Sequence, residues 1–270
     1  MERVADAVKS KLSEDSLSVF SNVQLAHLEF VKPDIADVCD SMELAGCSRI
    51  VAYPLFISVS SHSERDIPNA LNVRYHDFAD PDIRRYTGNA PITYTCPLDH
   101  GPVLPLVVAE CASEISLNPE TESVLILSHG GGCEHFWEHM HRRVAQAVTD
   151  TVKISNVHWM TVQTGRSPQS QDALVDKLHA IGGTDKILIL SCFGGLSGTQ
   201  FIERISQGLV RRNKPSLESL FADRLVGCKG WIEKPCVIEE IVSVVNRAAG
   251  ASTGAKLVKE SYPPYNPPFK

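Results

Sequence analysis

Nowhere in the 270 residues does an uninterrupted apolar run approach the ~18 residues that a membrane-crossing helix needs. The amino terminus, Met1-Glu2-Arg3-Val4-Ala5-Asp6, has none of the apolar centre of a secretory signal. A cytoplasmic protein is expected, or a stromal one if an organelle presequence has been removed. Basic residues are also scarce: 26 Lys and Arg stand against 32 Asp and Glu, for a net charge of −6. Without a basic stripe, neither a nucleic-acid backbone nor an anionic membrane is an expected partner. The eight cysteines include no Cys-x-x-Cys pair and no spacing typical of a zinc site, so they read as reduced and mostly core.

What is present is a globular composition, 43% hydrophobic, enough for one large core or two domains of about 120 residues each. Spacing predicts a helix over Glu2–Leu12, a strand over Val19–Leu28 and a helix over Ile35–Leu44 stopped by Gly46. Strands are expected at Ile50–Ile57 and Ile92–Cys96, and a helix at Leu104–Ile115. The polar turn Asn118-Pro119-Glu120-Thr121 reads as a boundary. Beyond it, strands are expected at Val124–Leu127, Val152–Val162, Lys186–Cys192 and Leu225–Trp231. They alternate with helices at Glu134–Val148, Gln171–Ala180, Phe201–Leu209 and Ile238–Ala248. This alternation predicts an α/β fold with parallel sheets flanked by helices. Two similar lobes, 1–117 and 121–250, would face each other across a cleft, with a Pro-rich extended tail over 251–270.

Two stretches carry chemistry. Ile50 to Pro68 runs from a buried strand into a Ser-rich loop that holds His62, and Val124 to Gly132 runs from a buried strand into Ser128-His129-Gly130-Gly131-Gly132. Each sets an imidazole at the carboxyl end of a strand, where open α/β sheets place ligands. In the second stretch glycines let backbone approach a ligand closely. A weak internal repeat lays Ser61–Ile67 over Thr199–Ile205, so that Gln200 answers to His62. The plain alternative for His62 is a loop histidine bonded to nearby backbone. His27, His76, His100, His158 and His179 read as surface or satisfied core residues.

Two other enzyme classes can be weighed on spacing. His135-Phe136-Trp137-Glu138-His139 has the His-x-x-Glu-His pattern of inverted zinc proteases, but no third ligand follows convincingly. An auxiliary role for Glu134 and His135 in collecting metal suits the stretch better. Gly195-Leu196-Ser197-Gly198-Thr199 falls one glycine short of an esterase elbow, and no histidine follows His179 to complete a triad.

The set Glu29, Pro33, Gly46, Pro54-Leu55-Phe56, His62 and Asp66-Ile67-Pro68 resembles the CbiX-type sirohydrochlorin chelatases of the class II chelatase superfamily. Ser128-His129-Gly130 is similar to the His-Gly-Ser that follows the first strand of each lobe there. The resemblance covers roughly residues 2 to 248. It implies two ferrochelatase-like lobes that insert a divalent metal, Co2+, Fe2+ or Ni2+, into sirohydrochlorin or a related tetrapyrrole. It implies His62 and His129 as catalytic and metal-binding; His135, on the helix that follows, is expected as an auxiliary metal ligand, and Ser61, Ser128, Gly130 and Gln200 as substrate contacts. The metal is then substrate, and no tightly bound cofactor is expected. A homo-oligomer is compatible with this plan. Two departures stand out: the first lobe lacks its opening strand, and Gln200 replaces a histidine. Each lobe would keep one of two family histidines, and the pair would meet in one cleft. A non-catalytic binder of metal or tetrapyrrole is the alternative.

The chemistry agrees on its own terms. Metallating a tetrapyrrole needs a partly dehydrated metal, an acceptor for two N–H protons and open, weak ligation, and neutral imidazole supplies the first two.

Overall fold

The computed structural model describes residues 1–15, 19–57, 60, 62–130, 134–162, 167–182, 185–193 and 196–250, without the side chains of residues 100 and 134–136. Ser61 and the tail from 251 onward therefore lie outside the described residues. Nine α-helices and six strands are described, and they form an α/β fold with parallel sheets. No helix among the described residues is long and apolar enough to cross a membrane.

The described residues divide into two compact units: Met1–Gly101 with residues 233–250, and Pro102–Ile232. This differs from a boundary at 117–121, and the reason is packing. Helix α4 (Val103–Ile115) buries Leu104, Val107, Val108 and Cys111 and lies against α5 (Glu134–Val152) and β5 (Lys186–Cys192) of the second unit. Helix α9 (Pro235–Gly250) returns to pack on α1 (Glu2–Glu14) and β1 (Ile50–Ala52) of the first.

In the first unit α1 buries Val4, Val8 and Leu12, a one-sided stripe at helical spacing. Helix α2 (Ile35–Leu44) begins at a reciprocal capping box between Asp34 and Asp37. It ends at Gly46, whose φ of +82° allows the Cys47 amide to reach back to the Met42 carbonyl at 3.0 Å. The sheet pairs β1 in parallel with β2 (Ile92–Tyr94), Ile50 opposite Ile92. Ile35, Cys39, Ile50, Ile67, Leu71, Tyr86 and Tyr94 form the core. The expected strand over Val19–Leu28 is absent among the described residues; that stretch makes a single bridge, His27 to Asp34. The expected strand Ile50–Ile57 stops at Ala52, ahead of Pro54.

A short π-helical turn, His62–Asp66, leads into α3 (Ile67–Ala70), with Pro68 in the first turn, where its missing N–H costs nothing.

The second unit holds a four-stranded parallel sheet in the order β4-β3-β5-β6, from β3 (Glu122–Ser128), β4 (Val157–Thr161), β5 and β6 (Leu225–Gly227). Every residue of β3 is buried, and β5 is buried from Ile187 onward, as central strands covered on both faces must be. Leu125, Leu127, Leu174, Leu178, Ile189, Phe201 and Ile205 form one core, the last five contributed by α6 (Pro168–Ala180), β5 and α7 (Gly198–Arg211). Helix α8 (Leu217–Phe221) closes the far side with Leu217 and Phe221. The two sheets thus have two and four described strands, so the lobes are less alike than the repeat suggests.

Candidate active site

In the first unit His62 opens the π-helical turn beyond β1. The wider turn is a geometry that recurs at functional sites. Ahead of it, Ser60 and Ser63 cap each other. The Ser63 amide donates to Ser60 Oγ at 3.3 Å, and the Ser60 amide donates to Ser63 Oγ at 2.8 Å. Tyr94 at the end of β2 donates its hydroxyl proton to the Ser63 carbonyl at 2.8 Å, pinning the turn to the sheet.

The imidazole is fixed by a carboxylate. His62 Nδ1 lies 2.8 Å from Asp66 Oδ2, one helical turn on, and 4.0 Å from Glu29 Oε1. Burial alone would raise the Asp66 pKa. Hydrogen bonds from Arg65, His62 and the Asp80 amide outweigh that and hold it below the usual carboxylate range. An ionised Asp66 can only accept, so Nδ1 carries the proton and donates it. Neutral His62 is then left with its lone pair on Nε2. The side chain is 42% exposed, so that lone pair can meet a solvated metal. A carboxylate behind a ligating imidazole is the usual second partner in metal sites, where it fixes tautomer and ring orientation.

In the second unit β3 and β5 end in register, Ser128 opposite Cys192. His129 is the first residue past this edge and is exposed. Its Nδ1 lies 2.8 Å from the Gly130 carbonyl oxygen, which again can only accept. Nδ1 therefore donates here too, and Nε2 holds the lone pair, as in His62. The Phe193 ring lies 6.1 Å away. Gly130 has φ +70°, and a Cβ there would sit 2.6 Å from the Thr161 side chain, so its glycine is required twice over.

Ser128 is placed differently from a substrate contact. Its side chain is fully buried, and its hydroxyl is hydrogen bonded to His141 Nε2 at 2.7 Å. It faces inward because its strand is covered on both sides. His141 itself is a histidine that the sequence reading passed over. It is buried, it stacks on Trp159 with ring centroids 6.1 Å apart, and burial lowers its pKa to about 4, so it is neutral. Its spacing from Trp137, Met140, Val144 and Val148 on the buried face of α5 is the signal that marks it as interior.

Gln200 is committed to a helix cap. It is the third residue of α7, and its Oε1 accepts from the Ser197 amide at 3.0 Å while Ser197 Oγ accepts from the Gln200 amide at 3.1 Å. Matched by caps, Ser60 and Ser63 answer to Ser197 and Gln200, which sets Thr199 opposite His62. Matched by the buried face, Ile67 and Leu71 answer to Ile205 and Leu209, which sets Gln200 there. Thr199 is committed as well, donating to the Gly227 carbonyl at 3.0 Å. Neither side chain stands as the second unit's counterpart of the exposed His62.

His62 and His129 fall in different units, and each arrangement is described within its own. The side chain of His135 lies outside the described residues. Among the described residues, no three His, Cys, Asp or Glu side chains converge as a metal-holding group. What each unit offers is one imidazole whose Nδ1 is held by a hydrogen bond, with the lone pair on Nε2.

Comparison with known proteins gives this geometry a setting. Residues 1–115 match the CbiX family model. Two curated relatives, each named sirohydrochlorin cobaltochelatase, come from Methanococcus species. That of Methanococcus maripaludis is 27% identical over 70 residues, 26% of this chain and 44% of the relative. That of Methanococcus aeolicus is 27% identical over 71 residues, 26% of this chain and 46% of the relative. The matches thus span less than half the length of these relatives.

Among solved structures, SirB from Bacillus subtilis with Fe3+ superposes with a TM-score of 0.62 at 18% identity, covering 92% of this chain and 89% of that one. The sirohydrochlorin chelatase SirB from Bacillus subtilis subspecies spizizenii, in complex with cobalt, gives 0.60 at 15% identity over 92% and 88%. DR2241 from Deinococcus radiodurans, a multi-domain protein with structural similarity to chelatases, gives 0.59 at 19% identity over 90% and 49%. At these identities the likeness is one of fold. Residues 1–115 of this chain are thus similar to the CbiX family, and its fold resembles that of Bacillus subtilis SirB.

Proposed function

We propose that this protein inserts a divalent metal, Co2+, Fe2+ or Ni2+, into sirohydrochlorin or a related tetrapyrrole. The observation that carries the reading is His62, half-exposed, with Nδ1 fixed on an ionised Asp66 and Nε2 left to bind. Metal and macrocycle are both substrates. His62 takes the metal through Nε2 in place of a water, and Glu29 adds a carboxylate near the ring. As the metal passes to the pyrrole nitrogens, two N–H protons must leave. An imidazole vacated by the metal accepts one, and the imidazolium so formed faces the Asp66 carboxylate. His129 is the second imidazole assigned to the metal and to proton uptake, with Gly130 contacting substrate. His135 is assigned to metal delivery and Ser61 to substrate.

The reading draws support from the CbiX match and from the names of the Methanococcus relatives. Imidazole ligation suits all three metals, so the choice among them is left to metal supply. An anaerobic absorbance assay with sirohydrochlorin and each metal in turn tests the reading. Repeated turnover is the expected result.

One observation favours a second reading. The side chains at 199 and 200 are tied to local backbone, so the second unit has no counterpart of His62 at that place. A non-catalytic binder of metal or tetrapyrrole would tolerate this, and it would saturate at one equivalent.

A further inference from the structure

We propose that Phe30 is a substrate-contacting residue whose ring packs on the face of the planar macrocycle brought to His62. The inference rests on the proposed function and names a specificity determinant for it. Residues 27–34 form a loop closed at its base by the bridge between His27 and Asp34, with the His27 amide donating to the Pro33 carbonyl at 3.0 Å. At its tip the Val31 amide donates to the Glu29 carbonyl at 2.8 Å, a three-residue turn with Phe30 at its centre and φ at +62°. A bulky side chain at positive φ in such a turn is strained, and strain of this kind persists where the surroundings impose it and gathers at ligand sites.

The turn sends its neighbours in different directions. Glu29 turns its carboxylate to within 4.0 Å of His62 Nδ1, while Phe30 is 100% exposed and Val31 is exposed beside it. A second loop is fastened to the same cluster, for the Asp80 amide donates to Asp66 Oδ1 at 3.3 Å. Tyr75 and Phe78, both exposed, lie on the approach to that bond. The exposed large hydrophobics of the first unit's described residues are Met1, Val19, Phe30, Val31, Leu44, Tyr75 and Phe78, and four of these seven ride on the two loops tied to His62 and Asp66.

Exposed apolar side chains on two loops tied to His62 and Asp66 suit an occupant that is flat, conjugated and in need of its central nitrogens facing an imidazole. A tetrapyrrole meets all three requirements. The loop's own cation, Lys32, is paired with Asp34 and Asp37 and leaves the tip's contribution apolar.

The test is equilibrium binding of metal-free sirohydrochlorin, followed by its fluorescence, to the wild type and to Phe30→Ala, Phe30→Gly and Phe30→Trp, with steady-state kinetics in both substrates. Phe30→Ala and Phe30→Gly should weaken macrocycle binding and raise its KM about tenfold, the loss expected for one ring's contact. The KM for metal should stay within about twofold, and Phe30→Trp should bind as the wild type does. Phe30→Gly suits the positive φ, so its melting temperature should not fall. Unchanged macrocycle binding in Phe30→Ala and Phe30→Gly would overturn the inference and leave the proposed function standing. So would a loss confined to self-association or to vesicle binding. Failure of the wild type to bind the macrocycle would overturn both.

Discussion

The Ser128 hydroxyl and the His141 imidazole meet at 2.7 Å in the interior of the second unit. This pair fastens the end of β3 to α5, one residue before His129 leaves the sheet. A neutral imidazole and a hydroxyl satisfy each other where water does not reach, and removing one leaves the other unpaired. His141→Ala should therefore lower stability by about 2–4 kcal/mol, from the cavity together with the stranded hydroxyl. Ser128→Ala should cost about 1 kcal/mol. Urea unfolding of the three proteins checks both values.

The same pair makes stability depend on pH. The His141 pKa is lowered to about 4 by burial, against about 6.5 for an unfolded chain. Between these values the unfolded state binds a proton that the folded state refuses, so stability rises with pH there. It should fall as the pH drops from about 6.5 to about 4, by about 3 kcal/mol at most. Unfolding curves across that range should slope steeply in the wild type and more gently in His141→Gln.

Asp66 is expected to act through His62. Asp66→Asn keeps an oxygen for the Asp80 amide but removes the charged acceptor that fixes the imidazole tautomer. Metal affinity should fall about 10- to 100-fold, the range for losing the carboxylate behind a ligating histidine. Calorimetric titration with Co2+ in the absence of tetrapyrrole measures it. An unchanged affinity would detach Asp66 from the site.

Gly130→Ala should disturb the His129 loop. A Cβ at that position would meet Thr161 at 2.6 Å, on a backbone already at φ +70°. A loss of about 1–3 kcal/mol is expected, and metal insertion should slow because the Gly130 carbonyl that holds His129 Nδ1 must move. Thr161→Gly in addition would relieve the collision and leave the strain, so it should restore stability only in part.

How much of this was legible depends on whether the signal was local. Helix α2 was read over Ile35–Leu44 and is found there, because Asp34 and Gly46 are end signals that act within a few residues. The runs around Leu125 and Leu188 read as buried strands, since a strand covered on both faces needs apolar residues throughout. The strand expected over Val19–Leu28 rests on composition, whereas a strand needs a partner, and among the described residues that stretch makes one bridge. The exchange of α4 and α9 between the units was not legible, for amphipathic spacing says that a face is buried but not against what. At the site, His62 and His129 stood out because each follows an apolar run. His141 did not, because its meaning lies in Ser128, thirteen residues back in the chain. Gln200 misled for a similar reason: a residue in the place of a ligand turned out to be the third residue of a helix cap.

The most direct measurement of the central claim is metal insertion into sirohydrochlorin by the wild type and by His62→Ala under anaerobic conditions, followed by absorbance with Co2+, Fe2+ and Ni2+ in turn. The account predicts many turnovers by the wild type with at least one of the metals. It predicts a rate at least about 100-fold lower in His62→Ala, as for loss of a positioned proton acceptor, with an unchanged melting temperature because His62 is half-exposed and not a core residue. Insertion that halts at one equivalent in the wild type, or an undiminished rate in a well-folded His62→Ala, would contradict it.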